Sequence, residues 1–158
     1  ASSQLRSPKL VEQVQSALQS SDLKPEYLVL EVTEEQLQTG CTSIPTALHQ
    51  LADLGVKIAL DNFGTSYASL GYLKHFPLHI LKVDKQLINP APDHKYQRDV
   101  GQAIITLGLG LGLDVVAEGV EQASQLSFAQ QNNCQYAQGF YLGAPVTAEE
   151  FSQQLDCA

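Results

Sequence analysis

Glu31, Asp61, Asn62, Lys82, Glu118 and Gln138 occupy one kind of position in this chain: each stands at or near the end of a short apolar run. The runs are "YLVLEVT", "VKIALD", "LHILKVD", "LDVVAEG" and "CQYAQG". Glu34 follows Glu31 by three residues, Glu121 follows Glu118 by three, and Asp84 follows Lys82 by two. If the runs are neighbouring strands, these groups meet at one place. Several carboxylates gathered there repel each other and raise each other's pKa unless something positive is present. Oxygen donors with one ammonium suit hard cations such as Mg²⁺ or Mn²⁺. Two such ions roughly 4 Å apart can clamp a phosphodiester and generate a hydroxide nucleophile. Lys82 would then orient that water or stabilise the charge that develops on the phosphoryl group.

Each residue also has a plainer reading. A single acid at a strand end is commonly a helix N-cap or a loop salt bridge, and Glu34, Asp84 and Glu121 are candidates for that role. His75 and His79 are four apart, but Pro77 lies between them and breaks the helix that would put them on one face. The glycines at 108, 110 and 112 resemble a phosphate loop but precede a strand instead of following one, which suits a loosely packed helix end and turn. Cys41, Cys134 and Cys157 show no metal or redox spacing and read as reduced, incidental thiols.

The elements that would position the acids alternate. Helical spacing runs through Leu10, Val11, Val14 and Leu18 after Ser7-Pro8, and "SIPTALHQLADLG" has Pro45 in its first turn and Gly55 as its stop. "SYASLGYLKHF" reads as a short helix ended before Pro77, and "KYQRDVGQAIITLGLGLG", "EQASQLSFAQQNN" and "TAEEFSQQL" as further helices. Short strands that are apolar on both faces and alternate with helices belong in a parallel sheet covered by helices. The pattern predicts an α/β fold, either an open doubly wound sheet or part of a TIM-like (β/α) barrel. No Gly-rich loop follows the first strand, which weighs against dinucleotide binding. In either architecture the C-terminal strand ends form the rim that holds the site.

The totals narrow the field. The 158 residues suffice for one domain with a core, and 44% are apolar. A formal charge of -8 argues against non-specific binding to DNA or to an anionic membrane surface. No apolar run approaches the roughly 18 to 20 residues that span a bilayer, so no direct membrane insertion is expected. The start "ASSQLRSPKL" has no signal-peptide core, and the absence of a starting methionine suggests a fragment or a processed chain.

"LEVTE", "ALDNFGTSYASLGYL", "LKVDK", "VVAEGVE" and "YAQGFYLGAP", in this order and spacing, closely resemble the EAL domain family of bacterial cyclic di-GMP phosphodiesterases. The resemblance covers essentially the whole chain, so residues 1–158 read as a single partial EAL-type domain. It implies a (β/α)₈-type barrel with two divalent cations, Mg²⁺ or Mn²⁺, that hydrolyses cyclic di-GMP to the linear pGpG. It implies metal ligation by Glu31 and Asp61, with Asn62 at the position of a further ligand. Lys82 matches the lysine that holds the attacking water, Glu118 the carboxylate beside it, and Gln138 the glutamine near that water. Glu34 matches the glutamate bracing the loop after Asp61, and Glu121 a substrate-side contact. It also implies a homodimer, covalent linkage to GGDEF or sensory domains, and a cytoplasmic setting within a parent that can itself be membrane-anchored.

The chain departs from the family twice. The family has two adjacent aspartates where this chain has Asp61-Asn62, and a neutral amide is a weaker Mg²⁺ ligand than a carboxylate. The family also opens with a Glu-Ala-Leu strand and an Asn-x-Ser strand ahead of the helix near Pro8. The expectation is therefore an incomplete barrel, lacking N-terminal strands and the ligands they carry, with the isolated stretch inactive. A second function competes: a degenerate EAL domain that binds cyclic di-GMP or a protein without cleaving anything. A third is a remnant with no ligand. Asn62 favours the binding module; Glu31, Asp61, Lys82, Glu118 and Gln138 favour hydrolysis, because a sensor has no need of a water-orienting lysine.

Overall fold

The computed structural model describes residues 2–37, 43–64, 70–88 and 95–156. Five parallel strands carry the architecture: β1 (Val29–Thr33), β2 (Lys57–Phe63), β3 (Ile80–Val83), β4 (Asp114–Glu118) and β5 (Tyr136–Gln138). They lie side by side in sequence order, each hydrogen-bonded to the next. Helices α1 (Ser2–Leu5) and α2 (Leu10–Ser21) precede β1, α3 (Glu34–Leu37) and α4 (Ser43–Asp53) lie between β1 and β2, α5 (Lys95–Gly110) between β3 and β4, α6 (Ala123–Gln131) between β4 and β5, and α7 (Ala148–Asp156) follows β5. Sequential neighbours in a parallel sheet are the order of a barrel wall; a doubly wound sheet reverses direction partway. The α/β partial-barrel expectation holds.

Sequence chemistry explains the boundaries. α2 stops where Asp22 enters the left-handed region at φ 53 and returns its N–H to the Leu18 carbonyl. α4 begins with Pro45 in its first turn and is followed by Gly55 at φ +98, a conformation that glycine adopts without penalty. The run 66–76 forms a 3₁₀ turn over Leu70–His75, while 65–69 lie outside the described residues. Pro25 opens another 3₁₀ turn, Pro25–Tyr27, that delivers the chain into β1.

The core follows the pattern of strands covered on both faces. Ile58, Ala59 and Leu60 are consecutive and all fully buried, as are Val32, Val83, Val115 and Ala117 on the neighbouring strands. Helices α2 and α4 add Leu18, Ile44, Leu48 and Leu51, and α5 adds Ile104 and Ile105. α5 approaches the sheet closely because of its glycines. A β-carbon on Gly101 would lie 2.0 Å from the Leu87 carbonyl oxygen, and one on Gly108 would lie 2.7 Å from a Leu81 methyl. Gly108 is thus a packing residue, which corrects the reading of a loose helix end. That reading holds for Gly110, which faces open space, and for Gly112, which turns at φ +75. No described helix is long and apolar enough to cross a membrane.

Candidate active site

The strand registers bring the ends of the five apolar runs to one rim. Thr33 stands opposite Asp61, Lys82 opposite Val116, and Glu118 opposite Gln138. Between Leu60 and Phe63 the pairing of β2 with β3 is interrupted by a bulge, and Asn62 within it has φ 54. Bulges of this kind re-aim side chains at strand tips. Here the bulge presents Asp61, half-buried, and Asn62, exposed, in succession.

Lys82 is the centre. It is only 7% exposed, and its ammonium is hydrogen-bonded to Glu31 Oε1 and lies 2.6 Å from Glu118 Oε1. Burial works against the ammonium, but the hydrogen bonds to Glu118 and Glu31 outweigh it and hold the pKa above its ordinary value. Lys82 is therefore a cation throughout the neutral range. It can donate hydrogen bonds and offset negative charge, but it cannot accept a proton as a base.

Glu118 is perturbed differently. Burial pushes its pKa up; the hydrogen bond and charge of Lys82 pull it down; the charge of Asp61 and a hydrogen bond with it push it up again. The net direction is upward. Glu118 therefore binds a proton more readily than an ordinary carboxylate. Glu31, on the edge strand β1, has a side chain 52% exposed, against 19% for Glu118.

The other expected residues fall around this centre. Gln138 is exposed at the end of β5, next to Glu118 in register. Its place is fixed because Gly139 packs on the Val120 backbone, where a β-carbon would lie 2.2 Å from Val120 N and O, and Val120 N–H donates to the Gln138 carbonyl at 2.9 Å. Glu121 is not drawn into the Lys82 cluster; it pairs with Lys85 at 3.0 Å on the exposed side. Glu34 is 3% exposed at the first position of α3. The loop it was expected to brace falls at 65–69, outside the described residues. Asp84 takes the plainer role, its Oδ1 accepting the Gln86 N–H at 2.8 Å. His75 and His79 do not meet as ligands: the His75 carbonyl lies 3.2 Å from His49 Nε2, and His79 Nδ1 accepts the Ile58 N–H.

Lys85 was missed in the sequence. It borders a cleft of ≈ 520 Å³ together with Glu118, Glu121, Gln138, Phe140 and Pro145. The only signal was its position three residues after Lys82. The cleft thus runs from Glu118 of the ion cluster to the exposed ring of Phe140 and to Pro145.

Among the described residues no three His, Cys, Asp or Glu side chains close into a metal cage by themselves. The donor chemistry nevertheless fits a hard cation. Glu31, Asp61, Asn62 and Glu118 offer only oxygen ligands, and Mg²⁺ keeps several waters while binding through one or two carboxylates.

A partial parallel barrel with a lysine-centred acidic rim defines the class: a (β/α) protein with a charged cluster at its strand-end rim. The chain belongs to the EAL domain family, whose model matches residues 1–145. It is similar to the cyclic di-GMP phosphodiesterase NbdA of Pseudomonas aeruginosa, 40% identical over 152 residues, covering 94% of this chain and 19% of that protein. Among solved structures it is similar to the PaMucR phosphodiesterase in complex with c-di-GMP, with a TM-score of 0.89, 39% identity, and coverage of 96% of this chain and 61% of that one. It is also similar to the EAL domain of Mycobacterium smegmatis DcpA, with a TM-score of 0.88, 31% identity, and coverage of 97% and 69%. The chain spans about a fifth of the length of the curated relatives it matches.

Proposed function

We propose that the protein carrying this chain hydrolyses one phosphodiester of cyclic di-GMP to give pGpG, in a reaction that depends on Mg²⁺ or Mn²⁺. The observation that carries this reading is Lys82, buried and held as a cation between Glu31 and Glu118 at the strand-end rim. A buried ammonium between two carboxylates is an expensive device for a surface that only binds. It is well suited to a step in which negative charge develops.

Glu31 and Asp61 would hold the cation, with Asn62 beside them. A divalent cation there supplies Lewis-acid stabilisation of the phosphoryl oxygens and acidifies a water. Lys82 donates hydrogen bonds, orienting the attacking water and offsetting charge on the phosphoryl oxygens. Glu118, whose proton affinity is raised, takes the proton that leaves the water. Gln138 positions the same water from the neighbouring strand. Glu121, held by Lys85, borders the cleft on the guanine side. Glu34 braces the loop after Asp61. In the same reading residues 1–158 are one partial domain, joined in the full protein to further domains and acting as a homodimer.

Asn62 supports a second reading, a domain that binds cyclic di-GMP without cleaving it. Incubating the full-length protein with cyclic di-GMP and Mn²⁺, with chromatography of the products, separates the two. Formation of pGpG that is lost in Glu31→Ala is the expected result. Retention of intact cyclic dinucleotide on the protein, with no pGpG, would establish the second reading and overturn the first.

A further inference from the structure

The bulged tip of β2 carries one feature that the proposed reaction does not use. Asn62 Nδ2 donates to Asp61 Oδ2 at 3.0 Å. A carboxylate only accepts, so the amide must present its NH₂ to Asp61. The backbone at φ 54 does not by itself select asparagine, because aspartate also enters the left-handed region more readily than most residues. What aspartate cannot do there is donate. An aspartate at 62 would instead set a second negative charge against Asp61, which already faces the Glu118 carboxylate.

Charge counting gives the consequence. Glu31, Asp61 and Glu118 bring three negative charges to the rim, and Lys82 returns one positive charge. One divalent cation neutralises the remainder. A carboxylate at 62 would leave a further charge unbalanced and offer a second anionic ligand. We infer that Asn62 is a positioning residue: its amide pins Asp61 through Oδ2 and keeps the rim from taking a second cation beside the first. This rests on the proposal that the rim holds a divalent cation, and it narrows that proposal to one ion per chain.

The test counts Mn²⁺ bound to the full-length protein by electron paramagnetic resonance, with the metal alone at neutral pH. Wild type is expected to bind one Mn²⁺ at this rim, lost in Asp61→Ala. Asn62→Asp is expected to bind two. Asn62→Gly keeps the left-handed backbone at no steric cost and removes only the amide; it is expected to bind one ion about 10-fold more weakly, the usual effect of losing a group that orients a ligand. Two Mn²⁺ on the wild-type rim would overturn the inference and leave the phosphodiesterase reading intact. An Asn62→Gly affinity equal to wild type would overturn the positioning role. Absence of Mn²⁺ from both wild type and Asn62→Asp would remove the cation reading, and the inference with it.

Discussion

Glu118 and Cys134 show how burial leads in setting chemical behaviour, one inside the site and one outside it. Glu118 binds a proton more tightly in the folded protein than in the unfolded chain, chiefly because it is buried. The folded state therefore loses stability as pH rises from the ordinary carboxyl value of 4.5 through the raised one, and the loss is constant above it. In Glu118→Gln that dependence is gone. The melting temperature of the variant minus that of wild type, measured with chelator present, should rise with pH just above 4.5 and then level off. A difference that falls with pH would contradict the assignment. Cys134 is pushed up to about 11 by burial, so its reactive thiolate is scarce near neutrality. At pH 8 the number of thiols titrated in the native protein should be the same in wild type and Cys134→Ser, and should differ by one after denaturation. A native count that drops by one would show an accessible thiol.

At the scale of elements, the strands were legible and the close contacts were not. Ile58 to Leu60 read as a strand covered on both faces because no polar residue interrupts them, and Asp61 marks where the cover ends. The same logic placed Glu31, Lys82, Glu118 and Gln138 on one rim. The ion pair of Lys85 with Glu121 joins residues 36 apart, and no local pattern encodes a contact between two loops. The bulge at Asn62 was equally hidden, since it depends on how β2 meets β3. Gly108 was misread because a glycine in a helix looks alike whether it faces a sheet or water. The structure separates the α5 glycines in a testable way. Gly101→Ala would drive a β-carbon into the Leu87 carbonyl, so a loss of roughly 1–3 kcal/mol or more is expected. Gly110→Ala meets nothing within 4 Å and should gain about 0.5–1 kcal/mol from helix propensity. Denaturant melts of both variants give the comparison; equal effects would contradict the packing described for α5.

For the whole molecule, the described sheet is a partial barrel whose outer strands are β1 and β5. Glu31 lies on the outer strand β1, which explains why its side chain is far more exposed than that of Glu118. A rim open on that side cannot hold water out of the reaction or fix Glu31 from both flanks. Residues 1–158 on their own should therefore form no measurable pGpG with Mg²⁺ or Mn²⁺. Chromatography of the incubation checks this, and clear pGpG lost in Glu31→Ala would contradict it. The architecture was readable from alternation of strands and helices. The place of the candidate site was readable because the ends of five apolar runs carried polar or charged groups.

Lys82 carries the central claim, and steady-state kinetics of the full-length protein on cyclic di-GMP test it most directly. An ammonium needed where charge develops acts in the transition state and adds little to ground-state binding. Lys82→Ala should lower kcat to near background, with KM and the affinity for cyclic di-GMP in Ca²⁺ changed little. A variant that keeps its kcat while KM rises would show that Lys82 only binds substrate, and would contradict the catalytic rim.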